Sequence, residues 1–105
     1  MTIMNADTEI IEGTRVAADI KRPKMYCVVL YNDDTTTFDF VHTALVRIFH
    51  RTSEEAAEIT QAIHNGGSGI AGGPYTHEVA EEKHRETILF ARTNGFALAA
   101  SVDEV

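Results

Sequence analysis

The residues that could do chemistry are few. Asn32, Asp33 and Asp34 stand in a row behind an apolar run, and His64 follows the apolar Ile63. Asn and Asp side chains bond their own backbone in turns, so three in succession need no function to explain them. A lone histidine near a helix C-terminus complements the helix dipole. Asp33, Asp34 and His64 are also metal-ligating types, which keeps a small metal-dependent enzyme among the readings. Gly67-Ser68-Gly69-Ile70-Ala71-Gly72 has the spacing of a dinucleotide-binding loop. That chemistry needs a strand before the loop and a helix after it, and here the order is reversed. His77-Glu78 opens like a helical zinc-protease motif, but Glu81 stands where the second histidine belongs, and His84 lies too far on for a one-turn chelate. His77 and His84 then read as solvated helix residues, and His42 and His50 as partly exposed ones. No serine or cysteine has a base and orienter beside it, so nucleophilic catalysis has no candidate.

The elements that must position these residues follow from hydrophobic period and caps. Tyr26 to Tyr31 is β-branched and aromatic and ends at Asn32-Asp33-Asp34, as a largely buried strand does. Thr36 or Thr37 caps a helix whose apolar residues Phe38, Val41, Leu45, Ile48 and Phe49 recur at helical spacing. Thr52-Ser53-Glu54-Glu55 is a capping box, opening a second helix with the stripe Ala56, Ile59, Ile63. Gly66 and Gly67 stop that helix. A short strand is weakly signalled over Ile70 to Tyr75. Thr76 opens a third helix with the expected stripe Val79, Ala80, Lys83 by its stem, Thr87, Phe90 and Ala91, ended by Asn94-Gly95. Phe96, Leu98 and Ala100 alternate in a last strand that ends near Val102. The order β-α-α-β-α-β predicts an α+β fold, a three-stranded antiparallel sheet with three helices on one face. Residues 1–24 lack hydrophobic period and close at Pro23, so they read as a flexible extension ahead of one core domain, 25–105.

Composition narrows the function classes. A chain of 105 residues fits one domain. Its formal net charge of −7 lacks the electrostatic footprint of nucleic-acid binding. Lys21, Arg22 and Lys24 read as a solvated approach to the first strand. No apolar run is long enough to span a bilayer, and no secretory leader is recognisable, so a cytoplasmic protein is expected. Cys27 is the only cysteine, which excludes an internal disulfide and reads as a small apolar residue.

Taken together, Met25-Tyr26, Asn32-Asp33-Asp34, Thr36, Phe40-Val41 and His64 resemble the signature of the ClpS family. Thr76-His77-Glu78-Val79-Ala80-Glu81-Glu82-Lys83 is similar to the start of that family's last helix, and Ala91-Arg92 and Leu98 fall in step. The resemblance runs from about Met25 to the C-terminus. It implies a non-enzymatic, cofactor-free, monomeric adaptor that binds N-degron proteins and delivers them to the AAA+ unfoldase of the Clp protease, ClpA-like or ClpC-like. By resemblance, Asn32, Asp33 and His64 hold the substrate's α-amino group. Thr36, Phe38, Val41, Thr60, Ile63 and Leu98 would form the pocket for a bulky first side chain (Leu, Phe, Tyr or Trp). Glu78 and Lys83 would touch the unfoldase, which would also engage the extension during delivery. The chemistry suits the first set. An α-amino group with a pKa near 8 is mostly an ammonium at neutral pH, and a carboxylate, an amide oxygen and a neutral imidazole offer it three acceptors. Protonation of His64 removes one acceptor, so binding is expected to weaken on acidification.

The chain departs from the family pattern at three places. Thr37-Phe38 replaces a common Pro-Met whose methionine gates the pocket, Thr60 replaces a frequent methionine at its floor, and the glycine loop is one residue longer. These changes leave a second reading open: a regulator that docks on a Clp chaperone through Glu78 and Lys83 without binding N-degrons.

Overall fold

The computed structural model describes residues 23–105. The extension expected over 1–24 therefore lies outside the described residues, apart from Pro23 and Lys24. The elements are β1 (Tyr26–Tyr31), α1 (Phe38–Phe49), α2 (Ser53–Gly66), β2 (Ser68–Tyr75), α3 (His77–Thr93) and β3 (Ala99–Glu104). β1 lies in the middle of the sheet, paired antiparallel with β2 on one side and β3 on the other. This is the expected α+β order, with the three helices on one face.

Each helix starts where a threonine satisfies amides that the first turn leaves orphaned. The Thr37 hydroxyl accepts from the Phe40 amide at 3.1 Å, which settles the α1 cap between the two candidate threonines. At α2 the Thr52 hydroxyl accepts from the Glu55 amide while the Glu55 carboxylate accepts from the Thr52 amide, closing the capping box. Thr76 caps α3 through its hydroxyl alone, which accepts from the Val79 amide at 3.3 Å.

The core lies between the inner face of β1 and the helices. Val28 and Leu30 are fully buried in the central strand against Phe40, Val41, Leu45 and Phe49 of α1 and Ile63 of α2. From α3 come Ala80, Thr87 and Ala91. Thr87 is tolerated there because its hydroxyl donates to the Lys83 carbonyl at 2.8 Å.

Four expectations need correction. Phe38 and Val79 were placed on buried stripes, but both are 43% exposed. They sit in the first turns of α1 and α3, on the side away from the buried Phe40 and Ala80 respectively. β3 begins at Ala99 rather than Phe96. Phe96 packs its ring 4.7 Å from that of Phe40, so the apolar alternation there marks docking onto the core, not strand. β2 begins at Ser68, because Tyr31↔Ser68 and Leu30↔Gly69 pairing extends the ladder through residues with no side-chain signal. His84 is half-buried, its Nε2 2.9 Å from the Ala100 carbonyl oxygen, rather than solvated.

Candidate functional site

The end of β1 and the end of α2 meet because the backbone joins them. The Asn32 amide donates to the Gly67 carbonyl at 2.9 Å, one residue beyond the last strand pair. Gly67 is the C-cap of α2, with φ 93°, a left-handed conformation that glycine adopts without a Cβ penalty. Its amide returns to the Ile63 carbonyl at 2.9 Å. One hydrogen-bonded junction thus sets Asn32 beside the final turn of α2, which carries His64. The approach is tightened by Gly69: a Cβ there would lie 2.9 Å from Ile63 Cγ1.

Asp33 builds the next turn. Its Oδ2 accepts from the Thr35 hydroxyl at 2.8 Å, the Thr35 amide at 3.1 Å and the Thr36 amide at 3.2 Å. This is the local turn bonding foreseen for Asn-Asp-Asp, and it delivers the chain to the Thr37 cap. The other carboxylate oxygen, Oδ1, is buried and has no hydrogen-bond partner; the Thr36 hydroxyl is in the same condition. Burial raises the Asp33 pKa, but the Thr36 and Thr35 hydrogen bonds outweigh it and hold the group below its ordinary value. An ionised carboxylate with half its acceptor capacity unused is therefore fixed in the turn.

These segments enclose a cleft of about 580 Å³. Asn32, Asp33, Asp34, Gln61 and His64 supply its polar side chains, and Phe38, Val41, Thr60 and Ile63 its apolar ones, with Thr36 and Thr37 between. Val41, Thr60 and Ile63 are buried, whereas Phe38 is part-exposed. The Thr60 hydroxyl donates to the Ala56 carbonyl at 2.6 Å, so its donor is spent inside the helix and only lone pairs remain.

Eight of the nine residues expected for amino-group and side-chain binding line this cleft: Asn32, Asp33, His64, Thr36, Phe38, Val41, Thr60 and Ile63. Leu98 does not; it is 4% exposed within the core cluster. Gln61 lines the cleft without having been singled out. Its position three residues before His64 puts the two on neighbouring helix positions, a spacing that would have revealed it. Among the described residues no three His, Cys, Asp or Glu side chains come together as metal ligands, so Asp33, Asp34 and His64 do not form such a group. Nor is any helix among them long and apolar enough to cross a membrane.

Glu78 and Lys83 lie apart from the cleft, on α3. Glu78 is exposed in the first turn. Lys83 is half-buried, and its Nζ donates to the Ile48 carbonyl at 2.8 Å, near the end of α1. It lines a smaller hollow of about 300 Å³ with Arg47, His50, Glu86 and Phe90.

Residues 21–101 match the family described as ATP-dependent Clp protease adaptor protein ClpS. An ATP-dependent Clp protease adapter protein ClpS of Lawsonia intracellularis is 46% identical over 86 residues, 82% of this chain and 78% of that protein. One from Campylobacter jejuni is 43% identical over 97 residues, 92% of this chain and 96% of that protein. Among solved structures, Agrobacterium tumefaciens ClpS2 bound to L-phenylalaninamide superposes with a TM-score of 0.75 at 28% identity. That match covers 80% of this chain and all of the other.

Proposed function

The chain belongs to the ClpS family of ATP-dependent Clp protease adaptors, and from that premise we propose that it captures proteins by a free, bulky hydrophobic N-terminal residue (Leu, Phe, Tyr or Trp) and delivers them to the AAA+ unfoldase. An adaptor carries a substrate and does not transform it, so the cleft has to bind and release only.

One observation carries the reading: the same cleft holds Asn32, Asp33 and His64 together with a buried apolar lining. An α-ammonium brings three donors and a positive charge. The free Oδ1 of Asp33 gives it a charge-assisted partner, and the Asn32 amide oxygen and a neutral His64 nitrogen accept the remaining protons. An internal peptide amide, with one donor and no charge, cannot use this set. Val41, Thr60 and Ile63 then receive the first side chain, with Phe38 beside them. Its burial contributes roughly 1.5–3 kcal/mol, enough to separate bulky from small first residues. L-phenylalaninamide joins a free α-amino group to a benzyl side chain, so its presence on the Agrobacterium relative supports the same division of labour here. For delivery, Glu78 is exposed to meet a partner, and Lys83 has two ammonium protons beyond the one given to Ile48.

The test is fluorescence anisotropy with a labelled peptide beginning with Phe against its N-acetylated twin. Acetylation removes the charge and two of the three donors and leaves the ring intact. Binding of the free peptide alone is the expected result. If both bind equally, the polar set has no part in recognition. If neither binds, the chain is a chaperone-docking regulator and not an N-terminal receptor.

A further inference from the structure

We infer that Thr60 makes this cleft selective for tyrosine as the first residue, by presenting a buried acceptor to the phenolic hydroxyl; the inference rests on the proposed capture of free N-termini. Thr60 is 3% exposed and lines the cleft beside Val41 and Ile63, themselves 5% and 2% exposed. Its hydroxyl proton is committed to the Ala56 carbonyl at 2.6 Å, so toward any ligand it acts as an acceptor only. A phenol is a donor that must find a partner when it leaves water, since an unpaired buried hydroxyl is costly.

The spacing along α2 suits a side chain of that length. Thr60 and His64 are four residues apart, on one face, and so about 6 Å apart along the helix axis. With its amino group at His64, a tyrosine lying along the helix reaches about 6.5 Å from Cα to its oxygen by standard bond lengths. That brings the hydroxyl one turn back, to Thr60. Phenylalanine has nearly the same reach but ends in C–H against the Thr60 lone pairs. Leucine stops well short of them, and the indole N–H of tryptophan lies on the flank of its ring rather than at the tip. The walls formed by Val41 and Ile63 serve tyrosine and phenylalanine alike, so the difference between the two rests on the floor. Thr36, whose hydroxyl has no partner, is not the phenol's acceptor: its amide donates to Asp33 at 3.2 Å, which fixes it at the amino-group end.

Calorimetric titration of the full chain with otherwise identical peptides beginning Tyr, Phe, 4-methylphenylalanine and Leu tests this, with N-acetyl-Tyr as the control. Tyr should bind about three- to tenfold more tightly than Phe, the scale of one neutral hydrogen bond, and 4-methylphenylalanine should gain nothing over Phe. Thr60→Val keeps the shape and removes the acceptor. It should abolish the Tyr advantage, bringing the ratio of Tyr to Phe affinity to about one. Thr36→Val should leave the advantage in place. Tyr and Phe binding within twofold of one another in the native chain would overturn the inference. So would an advantage that survives Thr60→Val or disappears in Thr36→Val. If free peptides still outbind N-acetyl-Tyr in any of those cases, capture of N-termini stands and only the tyrosine preference falls. If no free peptide binds, the parent reading fails and takes this one with it.

Discussion

The cleft and the α3 face make an instructive pair, because both hold charged residues picked out by family resemblance and only one of them has unspent bonding capacity in its interior. In the cleft, Asp33 is held by three donors on one oxygen and by none on the other. On α3, the Lys83 ammonium is already bound to the last turn of α1, and Glu78 stands free at the surface. A partly satisfied, ionised group inside a concave site is poised for a ligand. A cation already tied to a neighbouring helix at an element junction stabilises the fold first and meets partners with what donors remain. The two regions should therefore respond to mutation in opposite currencies, ligand affinity in one and stability in the other.

The largest expected effect is at Asp33. Asp33→Asn keeps an acceptor for the turn but removes the charge, and should weaken a Phe-initiated peptide by about 30-fold, or ~2 kcal/mol, with little change in melting temperature. Equal losses of affinity and stability would show the carboxylate to be a turn residue only. His64→Ala comes next, at about tenfold in the same titration. His64→Gln should recover part of that, since its amide oxygen can still accept from the ammonium. Affinity unchanged in His64→Ala would remove His64 from the site.

On α3 the sign reverses. Lys83→Met preserves the apolar stem but orphans the Ile48 carbonyl, and urea unfolding should show a loss of about 1 kcal/mol. Peptide affinity should stay within twofold; a tenfold loss would mean the two regions are not separate. The smallest effect follows from proton linkage at Asp33. Its folded pKa lies below the ordinary 3.8. The carboxylate therefore adds stability above pH 3.8, and that contribution fades as pH falls through the lower folded value. The small stability difference between native protein and Asp33→Asn at pH 7 should vanish in strong acid, as urea midpoints at the two pH values would show.

The sequence made some of this molecule plain and hid the rest for physical reasons. Helices were readable because Thr52 and Thr76 cap through short-range bonds written within four residues. β2 was faint because Ser68 and Gly69 become strand only through their partners on β1, Tyr31 and Leu30, more than thirty residues away in sequence. The amino-group set shows the same limit. Asn32 and His64 are neighbours through a single amide-to-carbonyl bond, Asn32 to Gly67, that no local pattern encodes. Only the resemblance joined them in advance. Leu98 shows the limit of position matching, since its side chain lies in the core cluster that also holds Val41 and Ile63.

The central claim is that ligands enter at the cleft and leave α3 untouched. Amide chemical-shift mapping by NMR, with the free and the N-acetylated Phe-initiated peptides added in turn, tests it most directly. The account predicts perturbations confined to residues 32–41 and 60–67 with the free peptide, and none with the acetylated one. Shifts centred on residues 78–86, or the same map from both peptides, would contradict it.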